Sequence, residues 1–278
     1  MGTQTWFITG ASSGLGAAIA DAAVRCGHRV AVTARDHTRL ANLVDAYPGA
    51  VLPLSMDLTV PSQIEAAVAS AEAWSNGIDV LVNNAAIGYL ALIEEGEEQK
   101  VRMIFETNVL GVASTIRAAL PAMRGRRSGT IINVSSTNGI VAMPALGYYS
   151  ATKFALEGLT EALSQEVAPL GISVMSIEPG GIPTGIVGRN LRSPRVNGYG
   201  ADAHALIDLL ANDKEGAFAP SDPNRIAEIL VRLVESGSMP QRLILGADSW
   251  GAIMAKLASQ RSEYEKWKDL SNSTSFSR

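Results

Sequence analysis

Tyr149 and Lys153 are the residues whose types and spacing could do chemistry. Four positions apart on a helical stretch, their side chains share one face. A free tyrosine has a pKa of about 10. Proton exchange near neutrality needs a drop of roughly 3 units, or about 4 kcal/mol of anion stabilisation. A close ammonium supplies part of that. The pair would then be a general acid or base with a tuning cation. Taken alone, the same spacing also suits an amphipathic helix with an interfacial tyrosine and an exposed lysine. Tyr148 is the competing tyrosine, but four residues on from it stands the uncharged Thr152.

A second cluster is Thr9-Gly10-Ala11-Ser12-Ser13-Gly14-Leu15-Gly16, between an apolar run and an Ala-rich helix. Glycines there let the backbone turn tightly and approach a ligand, and the helix N-terminus offers unpaired N–H groups to a pyrophosphate. The spacing is G-x-x-x-G-x-G rather than G-x-G-x-x-G. A tight turn packing a helix on a strand reads equally well from the loop alone. His28, His37 and His204 lack metal-ligand spacing and read as surface or capping residues. Cys26 sits near a helix C-terminus, which does not favour a thiolate, and reads as a packing residue. No G-x-S-x-G elbow is present, which disfavours a serine hydrolase.

These residues need elements to hold them. Strands are expected at 5–9, 29–34, 51–58, 78–83, 130–135, 172–177 and 242–245. Helices are expected at 15–26, 37–47, 61–74, 97–124 (one or two), 148–168, 222–235 and 248–269. Near-continuous apolar strands alternating with helices argue a parallel sheet covered on both faces. The 278 residues suffice for a large core and show no repeat or linker, so one domain is expected over 1–270, with a disordered tail at 271–278. Hydrophobic residues at 47% and charged residues at 18% exclude a disordered chain. A net charge of -4 gives no reason to expect a nucleic-acid or anionic-membrane partner. There is no apolar run of membrane-spanning length, no signal-peptide pattern, and one cysteine. Trp6 stands where a myristoylation motif needs Ser or Thr. A cytoplasmic protein is expected.

Six blocks in order resemble the short-chain dehydrogenase/reductase family. They are the T-G-x-x-x-G-x-G loop, Asn83-Asn84-Ala85-Ala86, Asn108, Ser136, Tyr149 with Lys153, and Pro179-Gly180-Gly181-Ile182-Pro183-Thr184. Ala86 departs mildly from the family's glycine. The blocks span about residues 5–185. The resemblance implies a doubly wound α/β Rossmann fold with a seven-stranded parallel sheet of order 3-2-1-4-5-6-7, and the ligand at the switch between strands 1 and 4. It implies reversible hydride transfer between a nicotinamide cofactor and a carbonyl or secondary alcohol. Tyr149 would be the general acid or base and Lys153 would tune it and hold the nicotinamide ribose. Ser136 would polarise the substrate oxygen, with Ser135 sent to the other face by strand alternation. Asn108 would hold a water for proton relay.

The cofactor set so implied is Gly10, Ser12, Ser13, Gly14, Leu15, Gly16, Arg35, Asp57, Leu58, Asn83, Tyr149, Lys153, Ile182 and Thr184. Asp57 would bond the adenine amino group, Asn83 would lie at the adenosine ribose, and Ile182 and Thr184 would contact the carboxamide. Strand 2 ends Ala34-Arg35-Asp36, which puts Ala34 where NAD-dependent relatives carry Asp, and Arg35 can grip a 2′-phosphate. NADP(H) is therefore favoured over NAD(H). Asp36 as a ribose ligand is the competing reading, and Ser13 stands where many NADP-dependent relatives carry a cation. Residues 185–220, which mix apolar side chains with glycines, read as a substrate lid over a bulky hydrophobic ketone, or else as an ordinary helical hairpin. A non-catalytic dinucleotide-binding regulator and a nucleotide-sugar epimerase are the rival functions. Many family members pair through the helix carrying Tyr149, which implies a homodimer or homotetramer.

Overall fold

A computed structural model describes residues 2–183, 190–212 and 219–276. In chain order its main elements are β1 (Thr5–Ile8), α1 (Gly14–Arg25), β2 (Arg29–Ala34), α2 (Ala41–Ala46), β3 (Val51–Ser55), α3 (Pro61–Ser75), β4 (Val80–Asn83), β5 (Tyr89–Leu90), α4 (Glu98–Phe105) and α5 (Gly111–Arg126). There follow β6 (Gly129–Val134), α6 (Gly147–Val167), β7 (Ile172–Pro179), β8 (Leu191–Arg192), α7 (Ala201–Asn212), α8 (Pro223–Ser236), β9 (Arg242–Leu245), α9 (Ala247–Lys266) and α10 (Lys268–Asn272).

Seven strands form one sheet in the order β3-β2-β1-β4-β6-β7-β9, every pair parallel. Numbered among themselves along the chain, these strands run 3-2-1-4-5-6-7, as expected. The strands are apolar on both faces because both faces are covered. On one side Trp6, Ile8, Val30 and Val32 pack with α1 and with Ile226, Leu230 and Val231 of α8. On the other, Phe7, Ala31 and Leu81 pack with α3, α5 and α6 through Ile64, Val68, Val112, Ile116 and Leu156. β3 tolerates Pro53 because it is an edge strand.

Several boundaries differ from expectation for physical reasons. β3 stops at Ser55, which frees Asp57 to cap a turn by accepting from the Thr59 N–H at 2.9 Å. The segment after β2 splits into a short 3-10 turn (His37–Leu40) and α2, with Asp36 as its N-cap. Of the one or two helices expected at 97–124 there are two, joined by a π-helical turn, Glu106–Leu110, that carries Asn108. The C-terminal helix breaks at Trp267 and continues as α10 to Asn272, inside the segment expected to be tail. The small parallel pair β5–β8 was not anticipated.

Three smaller expectations are corrected. His28 is buried, accepts from the Gln4 N–H at Nδ1 (3.2 Å) and lies 3.4 Å from a Glu235 carboxylate oxygen. His204 is also buried, paired with Glu95 at 2.5 Å. Cys26 is exposed just beyond α1, because the chain there has already turned away from the core.

Candidate active site

The carboxyl ends of β1 and β4 open into a cavity of about 1170 Å³. Gly10 and Gly14 take φ of +69° and +60°, where side chains are strained. A Cβ on Gly10 would stand 2.8 Å from the Ala85 Cβ, so the loop lies directly on the segment after β4. Gly16 serves a different end: a Cβ there would meet Asn84 Nδ2 at 2.4 Å and Gly10 O at 2.6 Å. That Asn84 amide donates to Thr9 O (2.9 Å) and Gly10 O (3.2 Å), while Thr9 Oγ1 accepts from the N–H groups of Asn84 and Ala85. No acidic residue occupies the first turn of α1, so its N–H end stays favourable to an anion. Glycine cradle, helix terminus and cavity size together fit a dinucleotide.

Of the residues singled out in the sequence, Gly10, Ser12, Ser13, Gly14, Leu15, Arg35, Asp57, Leu58, Ser136, Tyr149, Lys153 and Ile182 line this cavity. Gly16, Asn83 and Asn108 do not. Asn83 is buried within the sheet and donates to Asn133 Oδ1 at 2.8 Å, so its neighbour Asn84 takes the cavity-lining place. Strand alternation, which separates Asn83 from Asn84, was the signal for this. Thr184 lies outside the described residues.

The first turns of α6 bring the reactive groups together. Ser136 and Tyr149 both line the cavity, with the Ser136 hydroxyl close enough to the phenol to lower its pKa. Ser135, one step earlier, is buried with its hydroxyl beside Gly139, and it too borders the cavity. Lys153 is 2% exposed, donates to Val134 O at 2.8 Å, and holds its ammonium 5.7 Å from the Tyr149 ring centre. Burial pushes the Lys153 amine down to about 8, against the raising effect of Glu157 one turn on. For Tyr149, burial pushes the phenol above its ordinary value and the Ser136 hydroxyl only partly offsets that. The acidified tyrosine expected from the Lys153 spacing is thus absent in the protein by itself. Tyr148 stacks on Tyr89, with ring centres 5.5 Å apart, and donates to Ile93 O at 2.7 Å, away from Lys153.

Asn108 is a brace. Its amide donates to Ile87 O (2.8 Å) and Thr152 Oγ1 (3.1 Å), and its oxygen accepts from the Ile87 N–H (2.9 Å). The π-helical turn aims it there; such turns recur at functional sites. Behind Lys153 lies a carboxyl cluster that the motifs did not flag. Ser176 donates to Glu157 at 2.6 Å, Arg242 reaches Glu157 and Glu161, and buried Glu178 is pushed up to about 7 by desolvation and the Glu157 charge, with Arg242 opposing.

At the adenosine end, Ala34, Arg35 and Arg39 line the cavity. The Asp36 carboxylate accepts from the Thr38 N–H and hydroxyl (3.0 and 2.6 Å), which hold it below the usual carboxylate range. At the other end, Asp248 of α9 accepts from the Gly181 N–H at 2.9 Å and steadies the Pro179-Gly180-Gly181 turn. Glu95 bonds the N–H groups of Leu92 and Val196 as well as His204, and so ties α7 to the turn after β5. Leu206 and Leu210 of α7 face the cavity with Met143 and Leu146.

The family model of the short chain dehydrogenases matches residues 4–194. Oxidoreductase BOA17 of Botryotinia fuckeliana is 36% identical over 97% of this chain and 98% of its own. A 3-ketodihydrosphingosine reductase of Bacteroides thetaiotaomicron is 40% identical over 88% of this chain and 89% of its own. A crystallised short-chain dehydrogenase of Streptomyces avermitilis superposes with a TM-score of 0.91 at 37% identity, covering 99% of this chain and 100% of that one. Two structures at 25% identity, each covering 88% of this chain and 96% of their own, were solved with cofactor. They are a Brucella melitensis 3-ketoacyl-(acyl-carrier-protein) reductase with NADH (TM-score 0.71) and a Thermococcus sibiricus alcohol dehydrogenase with 5-hydroxy-NADP (0.70). Among the described residues no helix is long and apolar enough to cross a membrane. With the glycine cradle, Ser136, Tyr149 and buried Lys153 opening on one cavity, this chain belongs to the short-chain dehydrogenase family, an oxidoreductase acting between C–OH and C=O groups with a nicotinamide dinucleotide.

Proposed function

We propose that the protein interconverts uncharged, lipophilic ketones and their secondary alcohols, with NADP(H) preferred. The observation that carries the chemistry is that Ser136 and Tyr149 stand with buried Lys153 in the cavity that also holds the glycine loop. A reduced nicotinamide, when bound, supplies the hydride to the carbonyl carbon. Ser136 and Tyr149 hydroxyls hold the carbonyl oxygen, and Tyr149 gives it the phenolic proton. Burial keeps that phenol protonated and ready as an acid. The Lys153 ammonium stabilises the phenolate left behind. Asn108 positions α6 and the Ile87 loop, and its oxygen keeps a second acceptor site for a water leading toward Lys153. Oxidation runs the same steps in reverse.

Two further observations support the finer reading. β2 ends at Ala34, and Asp36, which also lines the cavity, accepts the Thr38 cap bonds at Oδ1, with Arg35 and Arg39 beside it to meet a 2′-phosphate. At the substrate end the lining combines Ile87, Met103, Met143, Leu146, Leu206 and Leu210 with the polar Gln99, Thr107, Asn138 and Asn190 and the acidic Glu106, and Lys153 is its single cation among the described residues. Such a wall disfavours a carboxylate or phosphate substrate. The described residues 190–212, with α7, supply the cover of this end within one dinucleotide-binding and catalytic domain; positions 185–189 and 213–218 of the expected lid lie outside the described residues. The test is turnover of a panel of neutral and acidic ketones with NADPH and NADH. Neutral lipophilic ketones with NADPH should lead; a preference for keto acids, or for NADH, would overturn the corresponding part.

A further inference from the structure

The proposed reaction needs a charged Lys153, yet the amine is buried and its described bond is to the neutral carbonyl of Val134. A cation so placed tends to give up its proton unless an opposite charge stands near. Glu157 is the acid positioned for this. It lies one turn on from Lys153 along the same buried face of α6. Three other segments fix its carboxylate. The Ser176 hydroxyl of β7 donates to Oε1 at 2.6 Å, and Arg242 Nε of β9 stands 3.4 Å from Oε2. Gly139, after β6, makes room: a Cβ there would stand 3.1 Å from Glu157 Cγ and 3.3 Å from Oε1.

The other charged groups nearby do not take this place. Arg242 is partly exposed and donates from Nη2 to Glu161 at 2.6 Å, so its charge is shared with that exposed acid instead of cancelling Glu157. Glu161 lies two turns on from Lys153 and faces water, which screens it. Glu178 of β7 is 3.8 Å from Arg242; burial first, and the Glu157 charge second, push its carboxyl up to about 7, so it keeps its proton until about neutrality. On the cavity side Tyr149, Glu106 and Asp248 are titratable, and Asp248 is engaged by the Gly181 N–H. Among these acids it is the charge on Glu157 that opposes the loss of the Lys153 proton.

We propose that Glu157 is a positioning residue for the reaction: its buried carboxylate is the standing counter-charge that keeps Lys153 an ammonium beside Tyr149. This rests on the catalytic reading of Lys153 given above. A merely structural Glu157 would tie α6 to β7 and β9 and do nothing more. Glu157→Gln separates the two roles, because the amide oxygen can still accept from Ser176 while the charge is gone. The first readout needs no cofactor. NMR of isotope-labelled lysine in the full-length protein follows the Lys153 titration, with Lys153→Met to assign the signal. Its midpoint should fall by about one unit in Glu157→Gln. In ketone reduction the alkaline limb of kcat/KM should move down with it, so that activity at pH 8 drops about fivefold and activity near pH 6 hardly changes. Arg242→Gln breaks the same brace and keeps the acid, and Glu161→Gln removes an exposed acid; in neither should the midpoint fall. An unmoved midpoint in Glu157→Gln, or an equal fall in Arg242→Gln or Glu161→Gln, would overturn the proposal. A midpoint that falls while the kinetic limb stays would instead remove the catalytic reading of Lys153, and with it any part for Glu157 in turnover.

Discussion

The two ends of the cavity are built by different means. At the adenosine end the shape is set by backbone: glycines at positive φ, a helix terminus, and a loop pressed on the Asn84-Ala85 segment. At the substrate end it is set by side chains from distant parts of the chain. Glu95 meets His204, Arg195 pairs with Asp208, and Tyr89 reaches Ser193 at 2.5 Å. Backbone-built structure depends on few side chains, here chiefly the clasp of Asn84 and Thr9. Side-chain-built structure depends on each pair, and its buried charges are costly to leave alone. An oxidoreductase built this way has a fixed cofactor seat and an adjustable substrate wall.

That contrast can be broken or sharpened by substitution. The largest effect is expected at the chemistry between the two ends. Tyr149→Phe should lower kcat by about 10²–10⁴ with cofactor binding intact, as measured by steady-state turnover and cofactor fluorescence titration. Tyr148→Phe loses only the bond to Ile93 and should stay far milder. Equal losses would put the acid on the wrong tyrosine. At the backbone-built end, Arg35→Ala should raise KM for NADPH by roughly 10- to 150-fold, the loss of a charge-assisted bond of about 1.5–3 kcal/mol. NADH kinetics should hardly move. If NADH use falls in parallel, Arg35 is holding the fold and not a phosphate.

At the side-chain-built end, His204→Ala leaves Glu95 buried with only its two backbone donors. Substrate KM should rise several-fold with kcat within about threefold, and trypsin should cut sooner at Arg192 or Arg195. Unchanged proteolysis would show that the cover does not depend on this pair. The smallest expected effect is in pH. Lys153 sits at about 8, so its ammonium is lost as pH rises through that value. In the direction of ketone reduction, kcat/KM for the free enzyme should therefore decline above about pH 8. A plateau out to pH 10 would mean that the charge on Lys153 is not needed.

The same contrast explains what could be read from the sequence. The alternation of strands and helices, the glycine loop and the Tyr149–Lys153 face depend on near neighbours and on periodicity, and each was legible; the strand order came from the resemblance of the six motif blocks. Asn83 was taken for Asn84 because motif position was weighed without asking which face of β4 each one takes. His204 was dismissed because its partner, Glu95, is 109 residues away and nothing local marks the pair. Asp248 and the Glu157–Glu178–Arg242 cluster were invisible for the same reason: β7 and β9 become neighbours only in the folded sheet. The depressed Lys153 amine follows from burial, which spacing alone does not report.

The Asn84 side chain has a consequence for how the protein reaches its native state. It closes the glycine loop from 75 residues away, bonding Thr9 O and Gly10 O while Gly16 leaves room for it. The cradle is contiguous in sequence, yet it cannot set until β4 has been laid beside β1. A fragment ending before residue 80 would contain every glycine of the loop and lack the clasp that shapes it. Closing so long a loop carries an entropic cost that local contacts do not repay. The dinucleotide seat should therefore form late, with the sheet, and a nascent chain should be unable to hold its cofactor until the fourth strand has docked.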